Sequence, residues 1–352
     1  MTKYKFLQLT VLMAVFALVL AACSNSGDEA ETDDSNNETS EETTDDSNAE
    51  EGSDESADAG TVEIEDAHGT VEVPVNPESV VALDNRTFET LDDWGVELTA
   101  AAVSLMPSGL SYLDNDSIED IGNHREPNLE AIAAANPDLV IVGQRFSGYY
   151  EDIKELVPEA AVIDLNVNVD ETAETPGENL VNGLKDNTTK LGQIFEKEAE
   201  AEQLNADFDQ AVEDATAAYN GSDTVMSVIV SGGEIGFSAP HNGRVWGPMY
   251  EIFGWEPSLE VEGSTEDHQG DDISVEAIAD SNPDWIMVLD RDADMDEEST
   301  PAQDVIENSP ALQNTTAVSE GQVIYAPADT YLNESIQTYI ELFGDISNTL
   351  NQ

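Results

Sequence analysis

"NLEAIAAANPDLVIVGQR" (residues 128–145) and "SVEAIADSNPDWIMVLDR" (residues 274–291) are two copies of one 18-residue stretch, identical at nine positions and offset by 146 residues. Each reads as a short helix, an Asn-Pro turn and an apolar strand (139–142 and 285–289) that ends near an arginine. Alternating apolar residues do not reproduce such a match by chance, so the body of the chain is two similar α/β halves. The β-branched runs "SVVALD" (79–84) and "VMSVIVS" (225–231) open the two halves.

Between the halves, apolar residues recur at helical spacing: Leu180, Leu184, Leu191, Phe195, Leu204, Phe208, Val212 and Tyr219. An unbroken helix there would span about 60 Å, and Gly183 and Gly192 are the expected points of a break. The expected architecture is therefore two α/β lobes, residues 61–175 and 222–352, joined by a helical crossover at 176–221.

The first 60 residues stand outside that scheme. Lys3 and Lys5 precede an apolar run from Leu7 to Leu20, and "LAAC" ends at Cys23, the only cysteine. This is the pattern of a secretory leader over residues 1–22, too short for a membrane span. A lone cysteine at the cut cannot form an internal disulfide. "LAAC" resembles the lipobox of bacterial lipoproteins, which implies a diacylated Cys23 as the mature N-terminus. Residues 24–60 carry 15 acids and no base, with no aromatic residue and no Leu, Ile or Val. Such a stretch cannot bury enough apolar surface to offset its ordering entropy, and the expectation is a disordered acidic spacer.

Residues 61–352 hold 61 acids against nine bases. A body this acidic repels nucleic acid, anionic lipid and itself, which argues for salty or alkaline surroundings where screening shortens the repulsion. Basic residues are then the informative ones. Ligands of open α/β sheets bind beyond the carboxyl ends of the strands. Arg86, Arg125, Arg145, Arg244 and Arg291 all fall on segments that follow strands, whereas Lys154, Lys185, Lys190 and Lys197 fall on helices. One arginine alone would be read as the partner of a surface carboxylate. Five on ligand-facing segments read as an anion-receiving lining, because the guanidinium fork suits planar anionic oxygens.

Enzymatic signatures are missing from the sequence. There is no phosphate loop, no G-x-S-x-G elbow and no G-x-G-x-x-G opening a helix. "SGGEIG" (231–236) leads into an extended piece rather than a helix. His68, His124, His241 and His268 lack zinc-like spacing. His68 reads as a hairpin-turn residue, His124 and His241 as neighbours of arginine loops, and His268 stands just before the second copy of the repeat.

With these features in hand, "GQRFSGYYEDI", "NGRVWGPMYEIFG", "DHQGDDISVEAIA", "VLDRDA" and "YAPADTYLNE" resemble the siderophore- and cobalamin-type substrate-binding proteins of ABC importers. The match is closer to the lipoproteins for iron–catecholate siderophores of the petrobactin and enterobactin-fragment type, and it covers residues 61–352 almost continuously. The resemblance implies a class III fold with two Rossmann-like lobes and a ligand cleft between them. It implies that Arg145, Arg244 and Arg291 surround a trianionic iron complex, and that His268 and Tyr331 fill open iron positions when a siderophore supplies four donors. It further implies that Glu130 and Glu276, matched in the repeat, dock into a permease dimer served by an ATPase. No permanent cofactor and no catalysis are expected, and a lipid-anchored extracytoplasmic monomer is. The chain departs from the family where Gln144 separates Gly143 from Arg145, where His124-Arg125 replaces a pair more often Leu-Lys, and where Arg86 stands for a small residue.

Tyr112, Tyr149, Tyr150, Trp246 and Tyr250 lie near the arginine loops as candidate ring partners. Haem, cobalamin and ferric hydroxamate are rival ligands, with Met106 and Met249 as candidate haem ligands. A surface-tethered hydrolase would need a nucleophile–base pair, and an adhesion module would not need the arginines.

Overall fold

The computed structural model describes residues 60–352, apart from residues 171, 266 and 297. The leader, Cys23 and the acidic spacer up to residue 59 lie outside the described residues. Strands β1 (Thr61–Asp66) and β2 (Gly69–Pro74) form an antiparallel hairpin with His68 in its turn, as expected. Five strands follow in the first half: β3 (Val80–Ala82), β4 (Ala100–Ala101), β5 (Glu119–Asp120), β6 (Leu139–Val142) and β7 (Ala161–Asp164). They make an all-parallel sheet in the order β5-β4-β3-β6-β7.

The second half repeats the plan. Its strands are β8 (Thr224–Ser231), β9 (Glu234–Phe237), β10 (Glu256–Pro257), β11 (Trp285–Asp290) and β12 (Val323–Tyr325). The order is β10-β8-β11-β12, parallel throughout, with β9 antiparallel on β8. Register is repeated as well: Val80 faces Leu139 in the first sheet and Val225 faces Trp285 in the second.

The duplicated motif accounts for that register. Asn128 and Ser274 cap the helices Leu129–Ala134 and Val275–Ser281, each accepting from a backbone N–H three residues on. Asn136 and Asn282 end them at φ of 45° and 46°, a left-handed conformation that asparagine tolerates. Pro137 and Pro283 then forbid further helix. Asp138 Oδ2 accepts from the Glu78 and Ser79 amides at 3.0 and 2.9 Å. Asp284 Oδ2 likewise accepts from the Thr224 amide and hydroxyl at 2.8 and 3.0 Å. Each Asn-Pro-Asp thus stops a helix and locks the next strand to its neighbour. Ile132, Ile278, Val142 and Val288 are fully buried. Of the identical residues, Glu130 with Glu276 and Arg145 with Arg291 have no comparable part in building the lobes.

Two helices connect the halves, Pro176–Ile194 and Glu198–Ala218. The break falls at residues 195–197, where Glu196 takes φ 52°, and not at the expected glycines. Gly183 and Gly192 sit inside the first helix and permit close packing: a Cβ would lie 2.6 Å from Val167 Cγ2 and 2.8 Å from Ala201 Cβ respectively. The C-terminal helix Ile336–Leu350 returns along the second connector helix, with Phe208 and Phe343 ring centroids 5.8 Å apart. Each such ring removed from water contributes about 1.5–3 kcal/mol.

Candidate functional site

A cavity of about 460 Å³ opens between the lobes, and all five arginines line it. Arg86, Arg125, Arg145 and Arg291 follow the carboxyl ends of β3, β5, β6 and β11, as the rule for parallel sheets requires. Arg244 arrives by another route. Gly232 and Gly233, at φ 60° and 79°, turn the chain tightly from β8 into antiparallel β9, away from the cavity. The loop after β9 brings it back. There Val245, a β-branched residue, is held at φ 61° beside Arg244, a strain of about 1–3 kcal/mol that the surrounding packing must hold. Gly243 and Gly247 make that packing close, since a Cβ on either would meet backbone within 3.0 Å.

Three guanidiniums converge on one ring. The Cζ atoms of Arg244, Arg291 and Arg145 lie 4.4, 5.3 and 5.6 Å from the ring centroid of Tyr331, which is 5% exposed. Arg145 Nη2 and Arg244 Nη2 also donate to the Tyr331 carbonyl oxygen, at 3.0 and 3.3 Å. Burial and the adjacent Arg244 pull the Arg145 guanidinium below its usual range. Among the described residues Arg145 has no carboxylate partner, whereas Arg291 pairs with Asp292 at 2.9 Å.

Glu334, three residues after Tyr331, is the buried partner of two of the cavity's arginine side chains, Arg86 and Arg244, and the sequence did not single it out. Its carboxylate accepts from Arg86 Nη2 at 3.0 Å, from Gln144 Nε2 at 3.2 Å and from Arg244 Nη2. Burial alone would push its carboxyl up, but Arg244, Arg86 and Arg145 override that and bring it down to about 2. One signal for it existed: "YLNE" closes the short helix Thr330–Asn333, and Glu334 takes φ 49° there. In a chain with 76 acids, composition could not mark this one.

The segment around Glu334 also stitches the halves together. Asn85 Nδ2 donates to the Leu332 and Asn333 carbonyls at 2.8 and 3.1 Å, and Asn333 Nδ2 donates to Glu89 at 2.8 Å. Thr90 and Asp93 both bond Gln337. On the cavity's outer rim the halves meet again, where the Ser108 amide donates to Asp294 Oδ2 at 2.7 Å. Below the floor, burial raises the Asp84 carboxyl to about 7 against the pull of Arg86.

The expected site residues divide. Arg145, Arg244, Arg291, Arg125, His268 and Tyr331 come together on the cavity lining, the His268 side chain being 45% exposed. Arg86 reaches the floor but is buried and committed to Glu334, so it is not a free ligand-binding cation. Trp246 is not a ring partner: it is fully buried, tilted against Trp255 at 6.4 Å. Tyr149 is absent from the lining and donates instead to the Arg125 carbonyl at 3.3 Å. Tyr112, Tyr150 and Tyr250 are buried among core groups, with Tyr150 stacked on His68 at 3.7 Å. Met106 and Met249 are buried away from the lining; the methionine on it is Met295. His124 joins the lining, its Nδ1 without a partner among the described residues. Burial and the guanidiniums of Arg145, Arg125 and Arg244 hold its imidazole below the usual range. Glu130 and Glu276 stand exposed in the first turns of their helices.

Two parallel-sheet α/β lobes, two helices between them and a cleft lined by cations define a class III substrate-binding protein. The periplasmic binding protein family matches residues 80–330, and the chain belongs to that family. It is 28% identical over 322 residues to the petrobactin-binding protein YclQ of Bacillus subtilis, covering 90% of this chain and 89% of that one. It is 28% identical over 287 residues to the ferric-anguibactin-binding protein FatB of Vibrio anguillarum, covering 81% and 85%. The crystal structure of a TroA-like periplasmic binding protein from Xylanimonas cellulosilytica superposes with a TM-score of 0.67 at 30% identity, covering 80% of this chain and 92% of that one.

Proposed function

We propose that this chain is an extracytoplasmic receptor that binds a ferric siderophore, most suitably a catecholate, and delivers it to an ABC permease. The observation that carries this reading is the convergence of Arg145, Arg244 and Arg291, from both lobes, on the ring of Tyr331 at the cavity floor. Such a site offers several planar guanidiniums, which suit an anionic complex bearing aromatic rings. Ligand-binding relatives named for petrobactin and ferric anguibactin support it. A neutral cobalamin or ferric hydroxamate would leave this charge unanswered.

No bond is broken in the proposed cycle. Serine, threonine and cysteine are absent from the described lining, which gives a hydrolase reading no hydroxyl–base or thiol–base pair of the serine or cysteine type there. The ferric complex is cargo, taken up between lobes 61–175 and 222–352 that move about the 176–221 connector. His268 and Tyr331, both on the lining, are proposed to supply iron donors when the siderophore leaves positions open.

Delivery is proposed to use Glu130 and Glu276. They are equivalent, exposed, and unneeded for the helix caps or the strand locks of the repeat. The protein is proposed to act as a monomer, lipid-anchored through Cys23, with its acidity suited to salty or alkaline surroundings. Quenching of intrinsic fluorescence by four- and six-donor ferric catecholates, a ferric hydroxamate, haem and cobalamin tests the reading. Quenching by catecholates at the lowest concentrations is expected, and preference for a neutral ligand would reject it.

A further inference from the structure

The five cavity arginines are not equivalent, and Glu334 makes the difference. Its carboxylate is buried and holds Arg86 of the first half with one oxygen and Arg244 of the second half with the other. A buried carboxylate joined to Arg244 alone would cancel the charge an arriving anion needs. Arg86 prevents that. Its guanidinium is 2% exposed, donates also to the Val167 carbonyl at 3.4 Å, and supplies the positive charge that balances Glu334.

The atoms involved on Arg244 matter as much as the charge count. Nη2 takes both bonds to the protein, to Glu334 and to the Tyr331 carbonyl. Nη1 has no protein partner among the described residues, and the residue lines the cavity. A long flexible cation that is tied at one corner need not be ordered by the ligand, which improves binding without adding a contact.

We propose that Arg86 and Glu334 form a charge-neutral clamp across the two halves that aims Arg244 at the bound anion. Glu334 is thus a positioning residue, and Arg86 its counter-ion rather than a ligand contact. The inference rests on the anion-receptor reading above. Because one arm of the clamp belongs to each half, Arg244 is aimed only while the halves keep this spacing.

The test titrates the full mature chain with a synthetic hexadentate ferric tris-catecholate, a trianion, while thermal melting reports folding. Four variants are compared: E334Q, E334D, R86M and R86M/E334Q. R86M/E334Q removes both buried charges together, a replacement that folds commonly tolerate, so it separates aiming from stability. Expected are losses of about tenfold or more in E334Q, R86M and folded R86M/E334Q, the scale of one charge-assisted contact, with part of the affinity kept in E334D. Tighter binding by E334Q would overturn the proposal, since Glu334 would then only neutralise Arg244. Wild-type affinity in folded R86M/E334Q would overturn it too. Wild-type protein that ignores the trianion would instead reject the receptor reading on which the clamp depends.

Discussion

Gly143 lies directly against the carboxyl of Asp84: a Cβ at position 143 would fall 2.1 Å from Asp84 Cγ. The contact joins the carboxyl ends of the adjacent strands β3 and β6. Gly143 also precedes Gln144 and Arg145, so it sets where that arginine starts. Gly143→Ala should cost about 1–3 kcal/mol of stability, the usual range for overpacking. Chemical denaturation measures the loss, and ligand titration of the folded fraction should show weakened binding as Arg145 is displaced. Unchanged stability would show that the two strand ends have room to part.

Asp84 and Glu334 should give stability opposite slopes with pH. The Asp84 carboxyl is raised from 3.8 to about 7, so the folded state favours its protonated form. Its contribution is full below the unfolded value and is lost as pH rises through about 7. Glu334 is lowered from 4.5 to about 2, so its contribution is present above 4.5 and lost as pH falls toward 2. Asp84→Asn should therefore reduce the fall in stability between about pH 4 and 7 relative to wild type. Denaturant midpoints across that range check the sign, and parallel curves for the two proteins would exclude Asp84 as the source.

Single changes of Arg145, Arg244 and Arg291 to Ala should each weaken binding of a ferric catecholate by about 1–3 kcal/mol. Arg145 should lose more than Arg291, because Arg291 is paired with Asp292 and Arg145 has no carboxylate partner among the described residues. Equal losses at Arg145 and Arg291 would mean that the pairing with Asp292 does not tax Arg291.

His268→Ala and Tyr331→Phe should distinguish ligands by their donor number. Ferric iron takes six hard donors, and a four-donor siderophore leaves two for an imidazole and a phenolate. Visible charge-transfer bands of the four-donor complex should shift in both variants, while a six-donor complex should keep its spectrum. Tyr331→Phe preserves the ring beneath the guanidiniums, so an equal loss with both ligands would assign the hydroxyl to hydrogen bonding instead.

Much of this architecture was readable because the chain states it twice. The repeat carries its own helix caps and Asn-Pro stops, local chemistry that needs no knowledge of distant contacts, whereas the strand locks of Asp138 and Asp284 reach back 59 and 60 positions. The arginines were legible for the opposite reason, as rare cations in an acidic body. What escaped was non-local. Glu334 meets Arg86 across 248 positions, and nothing in the spacing of either residue marks the pair. Trp246 and Tyr149 misled because nearness to Arg244 or Arg145 along the chain says nothing about which way a ring packs. Gly183 and Gly192 misled similarly: they are permissive for contact rather than for a bend.

Salt should raise the melting temperature of residues 61–352 steeply. Residues 61–352 carry 61 acids and nine bases, and screening relieves repulsion that opposes compaction. Calorimetry from low to molar sodium chloride measures this, and a flat response would remove the reading of a salt-adapted surface.

The hydrogen bond from Ser108 to Asp294 places a carboxylate next to Met295 on the lining of a basic chamber, with the exposed Asp296 on the same short loop. An approaching anion therefore meets a repulsive threshold before it reaches an attractive interior. The two fields respond unequally to dissolved ions: those at the lip face solvent and are screened, while those on the floor are sheltered. Brine should accordingly quicken capture more than it loosens the hold, the reverse of ordinary electrostatic steering. Stopped-flow capture of an anionic ferric complex would then accelerate with sodium chloride in wild type, and Asp294→Asn would already be fast without it. The protein's acidity becomes, at this doorway, a throttle set by the salinity outside.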